Sequence, residues 1–179
     1  MGNDRVFPCP GGVSATMTRI FIDADACPVR DETYRVALRH GVHTFVVANR
    51  MIAIPPSPLI ERVVVTQGMD VADDWIAGHA HAHDIVISTD IPLAARCVAQ
   101  GACVLDPRGR ILDENAIGMA LAVRNLMDDL RSTGAIMQGG RGFSRGDRSN
   151  FLSALDTAVV RARKNATRPK PPPFVLPTE

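Results

Sequence analysis

Aromatic side chains are scarce in this chain: six Phe, one Tyr and one Trp, 4% of 179 residues. Stacking of successive bases on aromatic rings is a common grip on single-stranded nucleic acid, so any such contact here rests on very few rings. Lysine is scarcer, occurring only at Lys164 and Lys170. A Walker A loop needs G-K-[ST], which excludes a P-loop nucleotide hydrolase. The same shortage weighs against a haloacid-dehalogenase-type phosphatase, which sets a basic residue, usually lysine, against its aspartates. The four cysteines, Cys9, Cys27, Cys97 and Cys103, form no C-x-x-C pair. That is far from a disulfide scaffold and suits a reducing, cytoplasmic setting. No apolar run approaches the ~18 residues of a membrane span, so no membrane partner is expected. A dominant charge is lacking too, with 20 Lys+Arg against 19 Asp+Glu and a formal net charge of +1.

What the chain does have is alternation. Apolar, β-branched runs occur at 18–23, 43–48, 62–66, 84–88 and 102–106. Each is apolar at nearly every position, as strands covered on both faces are. Helical patterns lie between and after them, at 28–40, 70–83, 92–100, 114–131 and 147–163. Repeated βα alternation predicts an α/β fold: three layers, α/β/α, with a mainly parallel central sheet of about five strands. The proline-broken segment 49–61 predicts a loop rather than a helix in the second crossover. Residues 1–16, rich in Gly and Pro, lack the apolar core of a secretory signal and read as a disordered extension. Residues 164–179, with five prolines, read as an extended, disordered tail. The folded domain is expected over 17–163.

In open parallel sheets ligands bind at the carboxyl ends of the strands, and acids gather there. The first strand closes on Asp23-Ala24-Asp25, the third runs into Asp70 and Asp73-Asp74, and the fourth ends at Ser88-Thr89-Asp90. Crowded carboxylates push one another towards protonation. A hard divalent cation with oxygen ligands, Mg²⁺ or Mn²⁺, removes that cost. Capping is the competing explanation. Asp25, Asp70 and Asp90 each stand where a helix N-cap is wanted, and Asp73 and Asp74 fall in a first helical turn, where acids suit the macrodipole. Three strand ends delivering acids to one edge is more than capping requires. Asp23 and Asp25, two residues apart at a strand end, share a face.

Other reactive groups weigh less. His79 and His83 are spaced to share a helix face, as zinc ligands do, but at a helix C-terminus imidazolium simply suits the dipole. Cys27 precedes Pro28, which predicts a thiol near a helix N-terminus. Neighbouring carboxylates oppose its ionisation, and a packing or site-lining role is expected. The segment GGRGFSRG (139–146) has the wrong spacing for a dinucleotide fingerprint.

The motifs IFIDADACPV, VVVTQGMDVADDWI and DIVISTDIPLA, followed in order by VLDPRGRILDENAI, LMDDLRSTG and GGRGFSRGDRSNFLSALD, closely resemble the bacterial YaiI/YqxD family over most of residues 17–163. That resemblance implies a PIN-like domain, of the superfamily that holds PIN and NYN nucleases. Those nucleases place an Asp after strand one, an acid at the start of a middle helix and an Asp after the next strand. Carried over, the catalytic roles fall on Asp23, Asp70 and Asp90, and the metal ligands are Asp23, Asp25, Asp70, Asp73 and Asp90. Asp31 or Glu32 is a loose match to a further acid that many PIN nucleases carry on an earlier helix. The implied activity is Mg²⁺- or Mn²⁺-dependent hydrolysis of phosphodiesters, with RNA as substrate and partner. Thr89 is placed to orient a water or a carboxylate.

A basic surface for that substrate comes late in the chain. Residues 131–179 hold nine Lys+Arg and three Asp+Glu, whereas 1–130 hold eleven and sixteen. Arg131, Arg141, Arg145 and Arg148, in or beside a Gly-rich loop, are the expected phosphate contacts. A solvated linker is the plainer reading of that loop. Two other functions fit the same acids: a non-catalytic RNA- or nucleotide-binding module, and a metal-dependent phosphohydrolase of small molecules. The sequence leaves a homo-oligomer open and names no protein partner.

Overall fold

Side chains alternate between the faces of an extended strand, and here both faces are apolar. In β1 (Arg19–Asp23), Ile20 and Ile22 enter one hydrophobic cluster and Phe21 the other. In β2 (His43–Ala48), Val46 and Ala48 oppose Val47 in the same way. Sheets of this kind need helices on both sides. The structure, a computed structural model, describes residues 17–25, 27–66, 68, 70–132 and 142–167, and for 127–132 the backbone course.

The remaining strands are β3 (Ile60–Val64), β4 (Ile85–Ile87) and β5 (Cys103–Leu105). Among the described residues the five form one sheet in the order β3-β2-β1-β4-β5, every pair parallel. Helices α1 (Arg30–His40) and α5 (Arg145–Thr167) cover one face through Tyr34, Val36, Phe151 and Leu155. Helices α2 (Val71–His79), α3 (Ile91–Ala99) and α4 (Glu114–Ser132) cover the other, with Ile76, Leu93, Cys97 and Ile117 in the core. The chain is a three-layer α/β/α fold. No helix among the described residues is long and apolar enough to cross a membrane.

Several boundaries differ from the sequence expectation, each for a physical reason. Helix α1 starts at Arg30, because Pro28 and Val29 form a turn with Val29 as N-cap. It stops at Gly41, whose left-handed backbone (φ 63) turns its N–H back to the Leu38 carbonyl. Helix α2 ends at His79, four residues early. The following turn is held by buried Asp84, which accepts the His81 N–H and pairs with Arg19 of β1. His83 is left-handed (φ 75), so His79 and His83 do not share a helix face. Pairing with β2 in the register Thr44↔Ile60 sets β3 two residues earlier than its most apolar run. Helix α5 runs on past residue 163 to Thr167, its late turns held by Arg163, which donates to the His40 carbonyl at 2.8 Å. The crossover from β2 to β3 over 49–59 carries no helix, as its prolines require.

The strand order positions the site. The chain builds outward from β1 through β2 to β3, then returns to the other side of β1 for β4. The carboxyl ends of β1 and β4 therefore flank a topological switch point, where parallel sheets open a crevice. The register Ile22↔Ile87 sets the next residues, Asp23 and Ser88, side by side across it.

Candidate functional site

At that switch point Asp23 is held by a hydroxyl. Its Oδ2 accepts a hydrogen bond from Ser88 Oγ at 2.9 Å, and the same Oγ accepts the Asp90 N–H at 3.0 Å. One serine thus joins the acids that follow two neighbouring strands. Burial raises the Asp23 pKa above the ordinary carboxylate value; Ser88 opposes the rise, while the charges of Asp25 and Asp90 add to it. Asp73, in the first turn of α2, is pushed up to about 6, by burial first and then by Asp90, Asp23 and Asp70, with Arg96 opposing. Acids from three strand ends therefore share one electrostatic field.

Capping accounts for some of these acids and not others. Asp90 does cap α3, its Oδ1 accepting the Leu93 N–H at 2.7 Å. Asp70 holds the N-cap position of α2 without making a side-chain cap. Its backbone is left-handed (φ 62), which is costly for a residue other than glycine and collects at functional sites. Asp25 does not cap α1; its Oδ2 accepts the Asn49 N–H at 3.0 Å and braces the start of the 49–59 loop. Asp25 Oδ1 is buried with no hydrogen bond, Arg50 Nε lying 3.6 Å away. Asp74 faces solvent and pairs with Arg96 at 2.8 Å.

As they stand, no three His, Cys, Asp or Glu side chains among the described residues are gathered tightly enough to enclose an ion. The donors nonetheless suit a hard divalent cation. All are carboxylate oxygens, one is buried without a hydrogen bond, and two have pKa values raised by burial first and by neighbouring carboxylates second.

Sequence reasoning gave Ser88 no role and Glu32 only a loose one. Ser88 has no signature of its own, since its partner Asp23 comes alongside only through the β1·β4 register. Glu32, noted as a loose match, is buried on α1. Its Oε1 accepts from Arg148 Nη1 at 2.9 Å and its Oε2 is buried without a partner. The Glu32 and Asp23 charges both act on Cys27, whose thiol is pushed up to about 11, chiefly by burial. Cys27 therefore stays a thiol and fills space. His79 is stacked on Trp75 at 4.0 Å and bonds its carbonyl, away from the acids.

The arginines divide. Ser144 and Asp147 cap one another at the start of α5, which places Arg145 and Arg148 in its first turn. Arg145 is exposed. Arg148 spends one amino group on Glu32 and the Pro28 carbonyl, tying α5 to α1 beside the site. Arg141 and the side chain of Arg131 lie outside the described residues, as do 1–16 and 168–179.

Next to the acids is a cavity of about 300 Å³. It is walled by Pro28, by Thr89 and Ile91 after β4, by the 106–112 loop after β5, and by Phe143. It adjoins the acids without containing them: Thr89 lines it, while Asp23, Asp70, Asp73 and Asp90 do not.

Residues 21–161 match the family model described as "Uncharacterized BCR, YaiI/YqxD family". The chain belongs to the YaiI/YqxD family. A UPF0178 protein of Gluconacetobacter diazotrophicus is 84% identical over 152 residues, 85% of this chain and 99% of that protein. One of Rhodopseudomonas palustris strain HaA2 is 57% identical over 158 residues, covering 88% and 95%. One of Gluconobacter oxydans is 56% identical over 152 residues, covering 85% and 87%. No solved structure gives a significant match. The YaiI/YqxD match begins inside β1 and ends within α5, so every acid described above falls inside it.

Proposed function

We propose that this YaiI/YqxD protein is a PIN-like, metal-dependent nuclease that hydrolyses RNA phosphodiesters at the switch-point acids. The observation that carries the reading is the meeting of acids from three strand ends at one switch point, where Ser88 ties the Asp23 carboxylate to the Asp90 backbone and where burial, with the charges of Asp90, Asp23 and Asp70, pushes Asp73 up to about 6. Acids are brought together at such a cost where a cation is to be held. The ion, Mg²⁺ or Mn²⁺, would be held by Asp23, Asp70, Asp73 and Asp90, with Asp25 beside Asp23. When bound it supplies Lewis acidity to a phosphoryl oxygen and lowers the pKa of a water. The protein's part is positional. Ser88 fixes the Asp23 carboxylate and the Asp90 backbone together, and Asp90 stays anchored to α3 through its cap. Arg145 offers a cation to the substrate backbone at the edge of the site.

The test is Mn²⁺ titration of wild type and Asp23→Asn, followed by RNA cleavage assays. Wild type is expected to take up Mn²⁺ and cleave RNA, and Asp23→Asn to lose about a hundredfold or more in rate. Absence of Mn²⁺ uptake by wild type sinks the nuclease reading. Uptake with cleavage of small phosphoesters but not RNA makes the protein a small-molecule phosphohydrolase. RNA binding with neither uptake nor cleavage makes it a non-catalytic binding module.

A further inference from the structure

The 300 Å³ cavity has an apolar wall and a charged one, the latter made by Arg108, Arg110 and the Asp106 carboxylate that Arg110 pairs with. Pro28, Ile91, Leu112 and Phe143 are apolar, one of them a flat ring. Opposite in character is Arg110, a cation that is aimed rather than loose. Buried Asp106 accepts its Nε at 2.7 Å and also its backbone N–H at 2.9 Å. The Arg110 side chain is otherwise 76% exposed, and its terminal amino groups make no hydrogen bond among the described residues. Phe143 is braced in turn: the Arg148 guanidinium carbon lies 5.2 Å from its ring centroid, and Arg148 is itself pinned by Pro28 and Glu32.

A flat apolar wall beside an oriented guanidinium is what a planar heterocycle carrying a phosphate requires. The ring system stacks, and the guanidinium forks two phosphate oxygens. The volume lies at the lower end of small-molecule sites, which run from about 300 to 1,000 Å³, enough for one nucleotide rather than a dinucleotide. We propose that this cavity binds a single nucleotide unit, with its base against Phe143 and its phosphate on Arg110. Its role rests on the nuclease reading for one point, its placement. Thr89 lies on the rim between Ser88, which holds Asp23, and Asp90, so a nucleotide seated there neighbours the phosphate to be cut. The unit comes from one of two sources, the terminus of a polynucleotide strand or a free mononucleotide.

The experiment is calorimetric titration in EDTA with AMP, with a six-nucleotide RNA and with inorganic phosphate. Wild type is expected to bind AMP or the RNA at least tenfold more tightly than phosphate. Arg110→Gln and Phe143→Ala are each expected to weaken that binding about five- to tenfold. Phe143 also touches the core, so Thr89→Trp serves as a second variant. Thr89 is exposed, and the indole should fill the cavity and abolish binding without disturbing packing. Tighter binding of the RNA identifies a strand terminus as the ligand, and equal binding identifies the free nucleotide. Phosphate binding as tightly as AMP, no binding of AMP or RNA, or binding unchanged in all three variants overturns the proposal. No divalent ion is present, so the two readings fail separately. RNA cleavage without nucleotide binding overturns the cavity assignment, whereas nucleotide binding without Mn²⁺ uptake overturns the nuclease.

Discussion

Asp73 carries a cost that pH should reveal. A carboxylate whose folded pKa lies above its unfolded value, near 4, destabilises the fold once it is ionised. With Asp73 pushed up to about 6 and Asp23 raised as well, stability should increase as pH falls through 6 towards the unfolded value. The melting temperature of metal-free protein is therefore expected to rise between about pH 7.5 and about pH 5, and Asp73→Asn to flatten that rise. A melting temperature that falls steadily over the interval in wild type refutes it. Asp156 acts with the opposite sign, because His40 bonds it at 2.8 Å and lowers its pKa. Its contribution is lost only as pH falls below about 4, outside that interval. At this scale the acids were legible, since a carboxylate ending an apolar run is visible in the string. Their secondary duties were not. Whether Asp90 caps and Asp70 does not depends on a left-handed backbone at Asp70, and nothing in GMDVADD announces that. Ser88 was overlooked in favour of Thr89 because the residue that meets Asp23 is decided by strand register.

Among the elements, the loop after β5 is tightly constrained by shape. Gly109 is left-handed (φ 85), and a Cβ there would meet the Asn150 backbone carbon and oxygen at 2.9 Å. Gly41 is also left-handed, but a Cβ would have open space around it. Gly41→Ala is thus expected to cost about 1–2 kcal/mol, from backbone strain. Gly109→Ala should cost about 3 kcal/mol or more, because overpacking against α5 is added. Urea denaturation of the two variants checks this, and equal losses would show that α5 yields at Asn150. Element types were legible because both-face burial writes β-branched runs for strands and 3.6-residue periods for helices. Their ends were less so. The end of α2 is set by Asp84 reaching back to Arg19 of β1, and the start of β3 by its pairing with β2. Both are contacts between segments remote in sequence, which local pattern does not encode.

For the whole molecule, near-neutrality conceals a division, with positive charge in excess only from residue 131 onward. Few phosphate contacts are then available, and binding to single-stranded RNA should depend only moderately on salt. A log–log slope of about −2 to −3 is expected, with Arg145→Glu lowering its magnitude by about 1. A slope near zero, or one unmoved by Arg145→Glu, contradicts an electrostatic role for the start of α5. The central place of β1 has a consequence for how the molecule is made. Of the five described strands, the first to leave the ribosome is the middle of the sheet, and it finds β2 within a few tens of residues but must wait for β4. The Arg19 and Asp84 partners that open the β1·β4 pairing are 65 residues apart, and until β4 emerges one edge of β1 has unmet hydrogen-bonding groups. During that wait Asp23 has Asp25 as its near acid, and Asp90 has yet to be synthesised. Asp70 and Asp73 are already made by then, so the share of the repulsion that is deferred is the one owed to Asp90. That share arises as the sheet closes, when enough apolar surface has been buried to withstand it.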